Sequence, residues 1–297
     1  MTMPFRPGQK YQPSGRFGLS TVLLVPLLGV PTAAVAAAIY AYAILYIPFV
    51  YINALITVGF GFVVGFAVAK GVALGKARSG ALAALLGLLV GAAALCLSWV
   101  FWIYALLRRS DVDVALLDLA LDPAALWQAI TFVNAEGAWS LKSFTPTGTV
   151  LWILWTIEAL LIVGFPTFLA IGQALSPFCE QCQGWCTKEK GVFRGAEIPR
   201  EELERHLRAQ EVSYVAARGA AEPGATTHLR YDVDRCACNA TITLTVTQVT
   251  VKLENGKPKE STTELVSNLV LSRDAAAALQ RLGQEPPRFA APGAAQG

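Results

Sequence analysis

Five of the six cysteines lie in two short segments of the C-terminal part of the chain. The segment PFCEQCQGWC holds Cys179, Cys182 and Cys186, and the triplet CAC further along holds Cys236 and Cys238. Thiolate sulfur is a preferred ligand of Zn²⁺, and structural zinc sites are tetrahedral with four protein ligands. The two close pairs, one from each segment, therefore predict an S4 metal site with Zn²⁺ as its cofactor.

The spacing within each pair can direct both sulfurs to one side. A short turn does this for CxxC, and the two-residue period of an extended chain does it for CxC at the junction of two strands. The arrangement resembles zinc-ribbon modules, in which a CxxC knuckle and a second cysteine pair on a hairpin share one zinc. The resemblance covers 178–186 and 235–239, and the CxC spacing of the second pair departs from the usual pattern.

The sequence also bears on the roles of the remaining two thiols and on the alternatives to zinc. Cys186 could replace one of the four ligands, act as a mobile ligand or simply be buried, and Cys96 is expected to be a small apolar core residue. An iron–sulfur cluster would accept four thiolates, but CxxCxxxC matches neither ferredoxin pattern. In a thioredoxin-like redox pair, the CxxC motif follows a strand and begins a helix, whereas this one follows an apolar span and Pro177. Disulfides would require the domain to face an oxidising compartment.

The N-terminal part of the chain has the composition of a membrane protein. Hydrophobic residues make up 54% of the sequence, charged residues only 15%, and the mean hydropathy is +0.48. No charged residue occurs from Phe17 to Ala69, which is roughly twice the ~20 apolar residues that one membrane-crossing helix needs. Two spans must therefore be joined by a tight turn, which we place between Tyr46 and Asn53, around Pro48.

The same reasoning gives four spans in total. A cleavable signal peptide ending near Ala34 is the alternative for the first, but the apolar run continues to Val50 and favours an uncleaved anchor. The sequence thus predicts an all-α four-helix transmembrane bundle followed by an α+β domain with a small antiparallel sheet and a zinc-ribbon-like site of four cysteines. The predicted segments are a disordered arm at 1–18, spans at about 19–44, 49–70, 80–107 and 149–175 with an outer loop at 108–148, the metal-binding domain at 177–284 and a disordered tail at 285–297.

The distribution of basic residues indicates the orientation. Lys and Arg concentrate in the N-terminal arm and in the loop after the second span, whereas the third loop is dominated by acidic residues. Cytoplasmic loops carry an excess of Lys and Arg, so we expect both termini in the cytoplasm of a bacterium, with the spans in its inner membrane. Arg108 and Arg109, at the end of the third span, argue against this orientation.

Two features of the spans suggest contacts or chemistry. Gly61 and Gly65 in the second span and Gly87 and Gly91 in the third have GxxxG spacing, which permits close helix packing either within the chain or in a homo-oligomer. Glu158 is the one acidic residue within a predicted span. Because an intramembrane carboxylate costs about 2.5–3.5 kcal/mol unless it is paired or hydrated, Glu158 is a candidate proton or ion site.

The C-terminal domain shows strand patterns between helices. Pro199 should begin a helix, 212–226 is expected to be a short strand and a loop, and alternation predicts a strand over 228–235. A second strand begins at 241, and a change in the phase of its alternation predicts a bulge near Thr247 or Gln248. Asn255-Gly256 indicates a hairpin turn, and Ser272 can cap a final helix.

The sequence favours a non-enzymatic function. No phosphate-binding glycine loop, Ser/His/Asp grouping or HExxH motif is present, and residues 177–297 contain equal numbers of acidic and basic residues, so a nucleic-acid partner is not expected. We expect a membrane anchor that presents a zinc-stabilised cytoplasmic domain to a protein partner or for sensing. A proton- or ion-linked transporter or channel using Glu158, and a thiol redox relay using Cys186, are the alternatives.

Overall fold

The structure of the chain is a computed structural model that describes residues 6–47, 49–137, 145–254 and 257–284. It divides into two compact units. One contains Ser14–Leu175, and the other joins the residues up to Pro13 to those from Ser176 onward. The predicted Asn255-Gly256 turn, Pro48 and the C-terminal tail fall outside the described residues.

The first unit is helical. Its elements are α1 (Leu19–Tyr46), α2 (Val50–Leu74), α3 (Gly80–Arg109), α4 (Leu116–Leu121), α5 (Pro123–Glu136) and α6 (Gly148–Ala174). Four of them, α1, α2, α3 and α6, are long and apolar enough to cross a membrane. The predicted spans are therefore present as helices, with ends shifted by a few residues.

Glycines let α6 approach its neighbours closely. A Cβ atom added at Gly61 would lie 2.9 Å from the Leu161 carbonyl oxygen, and one at Gly87 would lie 2.7 Å from the Thr167 Cα atom. Gly65 and Gly91 show similar contacts with α6. In lipid, such close packing replaces the hydrophobic effect as the source of helix association. All four GxxxG glycines thus pack within the chain.

Outside the spans, α5 begins with a side-chain cap at Asp122. The Asp122 carboxylate accepts hydrogen bonds from the N–H groups of Ala124 and Ala125, at 3.0 and 2.9 Å, and Pro123 takes the first helical position, where a missing N–H costs nothing. The expectation that Cys96 lies in the core is wrong, because its side chain is exposed on α3.

The second unit has the predicted α+β fold. Its elements are β1 (Phe178–Cys179), β2 (Gly184–Trp185), β3 (Thr187–Gly195), α7 (Arg200–Arg208), α8 (Val212–Arg218), β4 (Thr227–Arg235), β5 (Ile242–Glu254), β6 (Lys257–Val270) and α9 (Arg273–Gln284). Strands β3, β4, β5 and β6 form an antiparallel sheet in that order, and β1 pairs with β2 in a separate hairpin.

One face of the sheet carries the core of this unit. Leu229, Tyr231 and Val233 alternate along β4 and are fully buried. They join a single hydrophobic cluster with Leu203 of α7 and Leu279 of α9. The period-two pattern of β4 and the helical patterns of α7 and α9 therefore bury one shared apolar surface.

Several local predictions in this unit are confirmed. The Ser272 hydroxyl accepts a hydrogen bond from the Ala275 N–H at 3.1 Å and caps α9. The register of β5 against β6 shifts between Leu244 and Thr247, slightly before the predicted bulge. Glu254 pairs with Lys257 in the register of β5 against β6.

Two segments differ from their predictions. Residues 212–218 form α8 rather than a strand, because Val212 and Val215, three residues apart, are both buried in the core. Strand β3 was not anticipated. Its pairing with β4 shifts register between Glu189 and Phe193, and such a bulge interrupts the alternation that would have identified the strand.

The N-terminal arm is also more ordered than predicted. The N–H of Gly8 donates to the Val270 carbonyl at 2.8 Å, the Val270 N–H donates to Gln9, and the Tyr11 N–H donates to Asn268 at 2.7 Å. The arm therefore adds a short paired segment to the edge of β6. An unpaired sheet edge presents free N–H and C=O groups, and these contacts satisfy part of it, so the prediction of disorder is wrong for this stretch.

Candidate metal centre

The first cysteine pair lies on a tight hairpin. Phe178 pairs with Trp185 and Cys179 with Gly184, and Cys182 lies in the connecting turn. Gln183 closes this turn with a φ of 52°. The rings of Phe178 and Trp185 meet edge to face with centroids 4.9 Å apart, a favourable aromatic geometry. The knuckle is thus held by its own backbone pairing and by one aromatic contact.

The second pair lies in the turn between β4 and β5. The N–H of Cys236 donates to the Thr241 carbonyl at 3.2 Å, and the N–H of Asn239 donates to the Cys236 carbonyl at 3.0 Å. Asn239 has a φ of 53°, a conformation that asparagine tolerates better than most residues. The turn, rather than the alternation of a strand as predicted, therefore directs the sulfurs of Cys236 and Cys238.

The structure brings together the four sulfurs that the spacing predicted. The Sγ atoms of Cys179, Cys182, Cys236 and Cys238 all lie within 4.8 Å of one another. Cys238 is 3.5 Å from Cys179 and 3.4 Å from Cys236. A tetrahedral site with Zn–S bonds of ~2.3 Å has sulfur–sulfur edges of about 3.8 Å. The cluster is therefore of the right size to hold one metal ion through four thiolates.

The environment of the cluster favours ionisation of one thiol. Burial raises the pKa of Cys179, but hydrogen bonds outweigh it and lower that pKa to about 6. These bonds come from the backbone of Cys182, the side chains of Thr241 and Cys236, and the backbone of Gln181. For Cys236 burial dominates and raises the pKa. Metal binding must displace thiol protons, and the lowered pKa of Cys179 favours that step at this sulfur.

Cys186 lies beside the cluster but is not part of it. Its N–H donates to the Pro177 carbonyl at 2.9 Å, and its Sγ atom lies 3.8 Å from the Thr241 carbonyl oxygen. Burial, and then the neighbouring thiols and Asp234, raise its pKa. Of the three roles expected for Cys186, the geometry favours a half-buried neutral thiol next to the four-sulfur group.

Tyr11 is a contributor that the sequence did not reveal. Its hydroxyl accepts a hydrogen bond from the Phe178 N–H at 3.0 Å and lies 3.3 Å from the Phe178 carbonyl, to which it donates. Phe178 immediately precedes Cys179, so the N-terminal arm fixes the backbone of the knuckle. A lone tyrosine in a polar, Pro/Gly-rich segment carries no pattern that predicts such a contact.

The two histidines are not part of the four-sulfur cluster. His206 stacks on Tyr214 with ring centroids 3.7 Å apart and forms a hydrogen bond with Glu211 at 2.6 Å. His228 lies on β4, paired with Val249. Neither belongs to the group of possible metal ligands among the described residues.

Glu158, the predicted ion or proton site, lies in the other unit. It is on α6, about 15 Å along the helix from Gly148 at ~1.5 Å per residue. Its side chain lines a cavity of about 180 Å³ between α1, α2, α3 and α6. The structure therefore places the carboxyl at an internal space rather than in a close-packed helix contact.

These features define a class: a chain with four apolar helices long enough to span a membrane and an α+β domain that gathers four cysteines. Comparison of the chain with protein-family models, with curated proteins and with solved structures gives no match. Arguments about function consequently depend on the geometry of the two sites alone.

Proposed function

We propose that this protein is a multi-pass membrane anchor that presents a zinc-stabilised domain on the cytoplasmic face of a bacterial inner membrane, for assembly with a protein partner or for sensing. The observation that carries the proposal is the convergence of Cys179, Cys182, Cys236 and Cys238 within 4.8 Å. Four thiolates supply the full tetrahedral shell of a structural zinc, which leaves no open position for substrate or water. The role is therefore structural rather than catalytic.

The position of the cluster in the chain supports a stapling function. One pair belongs to the β1–β2 hairpin and the other to the β4–β5 turn, so a shared ion joins the start of the domain to its central sheet. The β1–β2 pairing is only two residues long, and so short a hairpin has little stability of its own. A zinc ion would supply the missing stabilisation of this segment.

Metal content tests the proposal most directly. The full-length protein should be used, because the N-terminal arm contributes Tyr11 to the metal domain. After purification in detergent with a reductant, mass spectrometry of the elements should find one zinc per chain, and the double variant Cys236→Ser/Cys238→Ser should lose it. The matched control Cys96→Ser, whose exposed thiol lies on α3, should keep its zinc. Stoichiometric iron, or zinc that persists in the double variant, contradicts the proposal.

Orientation needs a separate measurement. Four thiolates are kept reduced in the cytoplasm but form disulfides in an oxidising compartment. A C-terminal reporter enzyme that is active only outside the cytoplasm should therefore be inactive, and a C-terminal fluorescent protein that matures only in the cytoplasm should fluoresce. The opposite result would place the cysteines in an oxidising space and replace the metal site with disulfides.

The cavity at Glu158 favours one second candidate function, a small proton- or ion-linked transporter or channel. A carboxyl that borders an internal space can exchange protons or ions, whereas one buried in a helix contact cannot. Substituting Glu158→Gln in liposome-reconstituted protein separates the candidates. Loss of a proton- or ion-dependent flux with zinc retained supports transport, and the absence of any flux in the unsubstituted protein supports the anchor alone.

A further inference from the structure

The cavity inside the helical unit has an unusual set of walls. It has a volume of about 180 Å³, and its lining includes one carboxyl group, that of Glu158, together with polar side chains from α1, α2 and α3. A water molecule occupies ~30 Å³ of liquid volume, so the space is large enough for a small organic group. The hydrogen-bond donors and acceptors of the lining side chains indicate which chemical group would fit.

The hydroxyl hydrogens in the walls are already used within the protein. Thr57 Oγ1 donates to the Asn53 carbonyl at 3.0 Å, so in its 3.4 Å contact with Tyr40 the tyrosine hydroxyl must be the donor. Ser98 Oγ donates to the Leu95 carbonyl at 2.7 Å. Each hydroxyl hydrogen is thereby consumed, and the lone pairs of these oxygens remain as acceptors.

Two stronger acceptors in the same walls have no donor. The Oδ1 atom of Asn53 is buried and lacks a hydrogen-bond partner. Glu158 makes no hydrogen bond or ion pair with any residue that the structure describes. A buried acceptor without a donor is costly, and a carboxylate in this position requires a positive or hydrogen-bonding partner. A cationic group with several N–H donors would satisfy both acceptors.

Three indole rings form another part of the walls, beside several aliphatic side chains. Trp99 and Trp155 meet edge to face with centroids 4.8 Å apart at 87°, Trp102 meets Trp155 at 6.3 Å and 73°, and Trp99 meets Trp102 at 5.6 Å and 80°. All three rings line the cavity. The mutually perpendicular planes turn aromatic faces in different directions, and the negative face of an indole attracts cations.

We propose that this cavity binds a primary alkylammonium group. The ammonium donates hydrogen bonds to the Glu158 carboxylate and to Asn53 Oδ1, and the adjoining carbon atoms pack against the three indoles. A quaternary ammonium has no N–H and would leave Asn53 Oδ1 unsatisfied, and a neutral alcohol would leave the carboxylate without a counter-charge. The proposal shares the cavity with the transport candidate but requires only binding, and it is independent of the metal domain.

Equilibrium dialysis of radiolabelled n-butylammonium against the full-length protein in detergent tests the proposal. Saturable binding is expected, and Glu158→Gln should weaken it by about tenfold or more, because it removes a charge-assisted hydrogen bond. The matched control Glu136→Gln, which changes an exposed acid at the end of α5, should bind normally. Asn53→Leu, which removes only the neutral acceptor, should have a smaller effect. Retained helicity and an unchanged unfolding temperature show that each variant has folded.

Comparison of ligands and of bilayers completes the test. Tetramethylammonium and n-butanol should compete at least about tenfold less well than n-butylammonium. In nanodiscs, weaker n-butylammonium binding with phosphatidylethanolamine than with phosphatidylglycerol alone would identify a lipid headgroup as the source of the amine, and equal binding would identify a soluble amine. Unchanged affinity in Glu158→Gln, or equal competition by n-butanol, overturns the proposal in favour of a water-filled or merely apolar cavity.

Discussion

The two units of this protein are held together in different ways. In the helical unit, only 22% to 33% of the residues in the most apolar window of each span are buried within the chain, and several of its glycines lie so close to a neighbouring helix that an added Cβ atom would not fit. The α+β unit instead has one continuous apolar core beneath its sheet, with four sulfurs gathered where β1–β2 meets the β4–β5 turn. The helical unit therefore depends on close packing between helices, and the α+β unit depends on apolar burial and on its four cysteine ligands.

This contrast follows from the solvent that each unit is built for. Lipid tails are as apolar as leucine side chains, so the spans gain little by burying them and gain more from close approach. In water, the hydrophobic effect drives apolar side chains together. The β1–β2 hairpin, however, has only two paired residues in each strand, so this part of the α+β unit has little apolar surface to bury. We therefore expect perturbations to be selective, with one class affecting the metal domain and another the bundle.

Metal removal should have the largest effect, and only on the α+β unit. Structural zinc contributes apparent binding free energies of about 10–16 kcal/mol in zinc-finger peptides, comparable with the ~5–15 kcal/mol stability of a typical protein. A chelator should therefore expose the amides of β1, β2 and the β4–β5 turn to hydrogen exchange, while α1, α2, α3 and α6 stay protected. Uniform loss of protection in both units would contradict separate modes of stabilisation.

A large side chain at a close helix–helix contact should instead destabilise the helical unit and leave the α+β unit unaffected. In Gly87→Leu, the new Cβ would meet the Thr167 Cα and Pro166 carbonyl at 2.7 and 2.8 Å, and overpacking costs about 1–3 kcal/mol or more. The variant should lower the temperature at which the bundle unfolds in detergent and leave the zinc content unchanged. Gly59→Leu is the control, because a Cβ at Gly59 has no neighbour within 4 Å. Equal losses in both variants would show that close packing at Gly87 is unimportant.

A smaller effect is expected at Tyr11, which anchors the knuckle without touching the sulfurs. Tyr11→Phe removes the hydroxyl that accepts a hydrogen bond from the Phe178 N–H, and the loss of a buried hydrogen bond costs about 1–3 kcal/mol. Zinc should still bind at full stoichiometry, but competition with a chromogenic chelator should show weaker affinity than in the unsubstituted protein. The control Tyr51→Phe alters an exposed hydroxyl in α2 and should leave zinc affinity unchanged.

The parts of this fold that the sequence predicted are those with local signals. The apolar spans, the alternation of β4, the Ser272 cap and the four paired cysteines all carry their information within a few neighbouring residues. The N-terminal arm does not. Its composition resembles that of disordered segments, and its pairing with Asn268 and Val270 depends on an edge strand that lies more than 250 residues away in the chain.

Strand β3 and helix α8 were missed for a related reason. The register shift between Glu189 and Phe193 removes the period-two pattern of β3, and the seven residues of α8 are too few for a helical period to stand out. In both segments the tertiary core, and not local propensity, selects the structure. The Glu158 cavity was likewise beyond the sequence, because its walls come from four helices.

The smallest effect should be at Cys186, and it separates proximity from ligation. Its sulfur lies near the Thr241 carbonyl and outside the group of four, and burial raises the pKa of its thiol, so we expect Cys186 not to be a thiolate ligand. Cys186→Ser preserves a hydrogen-bond donor toward Thr241 and should change neither zinc content nor, beyond about 0.5 kcal/mol, the free energy of unfolding. Loss of zinc in this variant alone would show that Cys186 takes the place of one of the four predicted ligands.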